Sequence, residues 1–144
     1  MDRKKQIAQE ISQNLPTFMR HMFPYVFQPI NLPPSQIIAL VSIQERKECS
    51  LTELSKEMHV SAPTITGIVS RLERGGFLKR THHLEDRRVI NVRLTLKGEK
   101  LVNQFRDNIK NRWEYILSKM PPEKAETLTQ IMAGITKGFK DGAI

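Results

Sequence analysis

The stretch Ser61-Ala62-Pro63-Thr64-Ile65-Thr66-Gly67-Ile68-Val69-Ser70-Arg71-Leu72-Glu73-Arg74 decides how this chain is read. Ile65, Ile68, Val69 and Leu72 recur at i, i+3, i+4 and i+7, the spacing that lays one apolar stripe along a helix. Ser61 is a strong N-cap, and Val60 and Ile65 fit a hydrophobic staple around it. Pro63 is tolerated in the first turn, and Gly75-Gly76 ends the helix. The other face is built from Ser61, Ala62, Pro63, Thr64, Thr66, Gly67, Ser70, Arg71 and Arg74: small or hydroxylated side chains, then two cations. An ordinary solvated face would favour long Glu and Lys. A mid-helix glycine costs about 1 kcal/mol relative to alanine. Short side chains let the backbone come close to a surface, and a DNA major groove offers such a helix base edges, a thymine methyl and a rim of phosphates.

The flanking sequence strengthens that reading. Ser50-Leu51-Thr52-Glu53 has the form of a capping box, with Leu51, Leu54 and Met58 as the buried face of a short helix. Two short helices joined by about three residues form a helix-turn-helix whose second helix enters the groove. Two runs follow the glycine pair, Phe77 to His82 and Val89 to Leu94, the second alternating with Ile90, Val92 and Leu94 on one side. The charged tip between them carries Asp86, Arg87 and Arg88. A basic β-hairpin directly after a recognition helix is a wing.

These residues resemble the MarR (multiple antibiotic resistance regulator) family of prokaryotic winged-helix regulators. The wing signature Asp-x-Arg, five residues, then Leu-Thr is met by Asp86, Arg88, Leu94 and Thr95. The Ser-x-x-Thr start and Arg-Leu-Glu end of the recognition helix are met by Ser61, Thr64, Arg71, Leu72 and Glu73. The resemblance implies a homodimer, and an apolar cavity for small phenolic or amphipathic effectors, with Phe18, Met22, Tyr25 and Trp113 as candidate lining. In most proteins such side chains are simply core. Some relatives sense oxidants through a cysteine in the first helix. Cys49 lies elsewhere, just before the Ser50 cap, where it can pack onto Leu54 as a small hydrophobe.

A length of 144 residues is one domain's worth. Twenty-three Lys and Arg against fifteen Asp and Glu give a net charge of +8, and residues 71–93 alone contribute +4 of it. The excess favours a polyanion. With one cysteine there is no intramolecular disulfide. No secretory signal and no apolar run long enough for a bilayer are visible, so the expected location is cytoplasmic, with no membrane partner. The four histidines are scattered, and no close-spaced Cys/His set suggests a metal. There is no nucleophile with a nearby base, no phosphate-binding glycine loop and no carboxylate pair, so neither an enzyme nor a cofactor is expected.

Residues 2–28 read as helical through Ile7, Ile11, Leu15, Phe18 and Met22, with Pro16 and Pro24 predicting a kink or two consecutive helices. Ser35 to about Lys47 reads as a helix bracing the helix-turn-helix. Thr95 can cap a helix from Leu96 to about Lys119, and a last helix runs from about Glu123 to Lys140. The expected fold is therefore mainly α with a small β-hairpin wing: a winged helix-turn-helix at 35–94 flanked by dimerisation helices at 1–30 and 95–144. Together these features predict a homodimeric, sequence-specific regulator of double-stranded DNA, a repressor released by a small effector. Two alternatives stand beside it: a nucleoid-structuring protein that binds DNA without sequence preference, and a winged helix that binds another polypeptide.

Overall fold

The apolar stripe of the deciding stretch is the middle of a core. Ile65, Ile68, Val69 and Leu72 are at most 5% exposed in the computed structural model, which describes residues 2–82, 85, 86 and 88–144. They lie on α4 (Ala62–Arg74). Around them pack α2 (Pro34–Arg46), through Ala39, Leu40 and Ile43, and α3 (Leu51–Glu57), through Leu54. Beneath them run β1 (Cys49–Ser50), β2 (Leu78–His82) and β3 (Ile90–Leu94), which add Cys49, Leu78 and Val92. Each fully buried aliphatic side chain contributes about 1.5–3 kcal/mol, so the wing's root and the three helices form one cooperative unit.

The sheet is antiparallel in the order β1-β3-β2, with Leu78 opposite Leu94 and His82 opposite Ile90. The sequence predicts only the hairpin. The third strand is two residues long, Cys49 and Ser50 opposite Val92 and Asn91, too short to leave any periodicity in the sequence. The Ser50 half of the capping box forms, its Oγ accepting the Glu53 amide at 3.1 Å. The Glu53 carboxylate instead takes Ser50 Oγ and Arg46, and Arg46 also pairs with Glu57 at 2.7 Å, clamping the end of α2 onto α3.

α1 (Arg3–Val26) is one continuous helix through Pro16 and Pro24, where two helices were an alternative. Each proline removes a single hydrogen bond. Pro16 lies on an exposed stretch where water can satisfy the freed carbonyl, so the helix carries on. Near its end, Phe27 stacks at 5.3 Å from Phe105 of α5 (Leu96–Leu117). Thr95 caps α5, its Oγ1 accepting the Gly98 amide at 3.2 Å. α5 ends at Leu117, two residues before the expected boundary, and α6 (Pro122–Lys140) follows.

The chain divides into two compact units, Met1–Asn108 and Ile109–Ile144. In the second, the last turns of α5 and α6 enclose an apolar groove of about 690 Å³, lined by Ile109, Trp113, Leu117, Leu128 and Met132 among others. α6 buries no residue fully, and Gly142, at φ +67°, closes it. Among the described residues no helix is long and apolar enough to cross a membrane.

Candidate DNA interface

The exposed face of α4 begins at its cap. Ser61 Oγ accepts the Thr64 amide at 3.3 Å and lies 2.8 Å from Thr64 Oγ1, so the two hydroxyls form one polar pair over the first turn. Ala62 and Pro63 stand beside them, both exposed. One turn on, Thr66 Oγ1 donates to the Ala62 carbonyl at 2.9 Å. With its proton engaged, that oxygen can only accept, which suits the amino groups of adenine and cytosine in a major groove.

Gly67 follows at the middle of the face. Its φ is not positive, and a Cβ built there meets only the Arg71 guanidinium, at 3.5 Å. Nothing in the fold requires glycine at this point. Arg71 and Arg74 are exposed, and among the described residues neither joins an ion pair. At the C-terminal end of a helix they sit where the macrodipole favours cations, and within reach of any phosphate that approaches.

Ser70 is not a freely solvated hydroxyl. It is half-buried and accepts Nη2 of Arg80 at 2.9 Å, while Arg80 Nε lies 3.4 Å from Glu73. The Glu73 carboxylate also accepts the Arg80 amide at 3.3 Å. This triad bolts β2 to α4 and leaves the Ser70 proton free to donate. The sequence gives no sign of it, because Arg80 looks like one more cation of a basic hairpin. Only the register of β2 turns it inward.

At the wing, the Asp86 carboxylate accepts the Arg88 amide at 3.0 Å and lies 3.5 Å from the Arg88 guanidinium. Two residues apart on an extended strand, the pair would share a face; they meet instead in a side-chain-closed turn between the strands, where an aspartate bonds the backbone two residues on. The Arg88 side chain is 95% exposed, so its base is fixed and its charge projects outward. Arg87 lies outside the described residues.

Cys49 is 3% exposed and packs in the core cluster that holds Leu54. Burial pushes its thiol up to about 11; Glu53 adds to the shift and Arg46 opposes it. It is a protonated core side chain at neutral pH. Of the candidate effector residues, Trp113 lines the groove of the second unit. Phe18 and Tyr25 are 40% and 52% exposed on α1, Met22 is half-buried, and none of the three lines that groove.

Comparison with known proteins gives this geometry its context. The MarR family model matches residues 32–90, from just before α2 to the start of β3. The HTH-type transcriptional repressor YetL of Bacillus subtilis (strain 168) is 28% identical over 128 residues, covering 85% of this chain and 77% of its own. FabT of Streptococcus pneumoniae, solved in complex with DNA, gives a TM-score of 0.74 at 19% identity, over 96% of this chain and 98% of FabT. NadR in complex with 4-hydroxyphenylacetate gives 0.67 at 25% identity, over 91% and 92%. The family model covers the helix-turn-helix and most of the hairpin, the curated relative carries the name of a transcriptional repressor, and the fold is shared almost end to end; over residues 32–90 the chain is similar to the MarR family.

Proposed function

We propose that this chain is a sequence-specific transcriptional regulator, acting as a repressor, whose homodimer lays two copies of α4 into successive major grooves of a pseudo-palindromic operator while each wing reaches the adjacent minor groove. Gly67 carries the reading. Alanine would suit the fold better there by about 1 kcal/mol, so glycine is explained by something outside the chain coming close to the helix backbone. Hydroxyls and two arginines surround it. That combination fits base edges and phosphates better than it fits another protein, whose contact surfaces favour large aromatic side chains.

The dimer is supported by apolar faces with no cover of their own. Ile7, Ile11, Leu15 and Met19 of α1 are 41–59% exposed, and Ile131, Ile135 and Phe139 of α6 are 47–62% exposed. Faces of this size mark interaction surfaces in soluble proteins. A two-fold dimer suits a palindromic site, with half-sites roughly 34–36 Å apart. Occupying a promoter represses it; a small apolar or phenolic effector relieves repression by favouring a different separation of the two helices. The apolar groove beside Trp113 and the NadR complex with 4-hydroxyphenylacetate support that effector class.

One substitution tests the reading with two measurements. Gly67→Ala should raise stability by about 0.5–1 kcal/mol and weaken operator binding about tenfold or more, about 1.4 kcal/mol. A more stable variant that binds the operator like wild type would remove the observation on which the reading rests.

A further inference from the structure

We infer that Lys97 and Thr95 are positioning residues for the recognition helix: they tie the end of α4 to the first turn of α5, so that α5 sets where α4 points. The helix closes through a two-bond turn, the Gly76 amide donating to Glu73 and the Phe77 amide to Leu72, both at 3.0 Å. Gly76, at φ +78°, makes that turn possible. Three successive carbonyls then leave α4, and all three end on residues 95–97. Lys97 Nζ donates to the Gly75 carbonyl at 2.7 Å and Thr95 Oγ1 to that of Gly76 at 2.5 Å. The Phe77 carbonyl accepts the Thr95 amide at 3.1 Å.

The contact has almost no slack. The Lys97 ammonium sits 4.5 Å from the centre of the Phe77 ring, which holds its stem in place. Thr95 Oγ1 grips α4 and caps α5 with the same atom, accepting the Gly98 amide. At Gly98 the helix lies so close to the turn before β2 that a Cβ would fall 2.0 Å from the Phe77 carbonyl oxygen. A cation at the negative end of α4 and a threonine shared between two helix ends thus make α4 and the start of α5 one piece. In the proposed dimer the two recognition helices then move with the starts of the two copies of α5, and their separation follows. This last step rests on the DNA reading above; the latch itself does not.

The experiment uses the full chain, with Lys97→Met to keep the apolar stem and lose the donor, and Lys97→Arg to restore the cation. Hydrogen exchange of the free protein reads the latch. The Gly76 and Phe77 amides should exchange about tenfold faster in Lys97→Met and return towards wild type in Lys97→Arg, with the core amides of α2 unchanged. Operators with the preferred half-site separation, or with one base pair inserted, read the positioning. Lys97→Met should lose about fivefold of the wild-type discrimination between them while binding an isolated half-site as before. Unchanged exchange overturns the latch. Faster exchange with full spacing discrimination overturns the positioning role, and an equal loss on the isolated half-site makes Lys97 a DNA contact instead. A wild-type protein with no spacing preference overturns the two-fold DNA reading and the positioning role that rests on it, while the exchange result still decides the latch.

Discussion

Cys49 sits on β1 opposite Val92, and burial holds its thiol near 11. An unfolded cysteine titrates near 8.5. As pH rises through the window between those values, the unfolded chain gives up a proton that the folded chain keeps, so stability must fall. Wild type should therefore lose about 2–3 kcal/mol more than Cys49→Ser between pH 8.5 and 11 in parallel urea titrations. At pH 7, Cys49→Ser should cost about 1–3 kcal/mol through its buried hydroxyl, and mild peroxide should leave DNA binding of wild type unchanged. Release by peroxide in wild type but not in the variant would make the thiol a sensor. Glycines give a second contrast at this scale. Gly67→Ala is the stabilising change. Gly76→Ala should cost about 1–2 kcal/mol, because φ +78° is strained for any residue with a Cβ, and Gly98→Ala about 3 kcal/mol or more, because the Phe77 backbone blocks it. Denaturant melts of the three variants check the order. The stop at Gly75-Gly76 and the oddity of Gly67 are legible in the sequence, since both concern the local helix. Gly98 is not, because its reason is a carbonyl 21 residues away.

At the scale of elements, helices and hairpin follow from local pattern, and the departures come where pattern carries no information. α3 ends with His59 at φ +54°, its amide bonding Lys56 and the Val60 amide bonding Ser55, in the place a glycine would normally mark. β1 exists only because β3 passes beside it. The triad of Ser70, Arg80 and Glu73 likewise depends on strand register, which the local pattern of the sequence does not carry. The two proposed reading elements should fail differently when altered. Arg88→Ala should weaken binding at every operator variant and lower the salt slope by about 2 per dimer, one phosphate for each wing. Thr66→Ala should relax discrimination at particular base pairs by about 1–3 kcal/mol and leave the salt slope alone. Salt-series titrations on the operator and its single-base variants separate the two. An Arg88→Ala variant with wild-type affinity would remove the wing from the interface.

At the scale of the whole molecule, the charge excess in residues 71–93 favours a polyanion, and the bare apolar faces of α1 and of α6 each favour a second copy. The proposed dimer interface belongs to the large apolar class, about 2,000 Å² or more in total, and should persist at micromolar concentration in sedimentation. A folded, stable monomer there would remove the two-fold argument. Base discrimination is a property of the helix and its DNA partner together. Selection of sites from random DNA, followed by competition at fixed salt, is therefore the most direct measurement of the central claim. The expected result is a pseudo-palindrome with half-site centres one helical turn apart, about 10 base pairs, from which random DNA displaces the protein only at about a thousandfold excess or more. Random DNA competing as well as the selected site, or no affinity for any DNA, would contradict it.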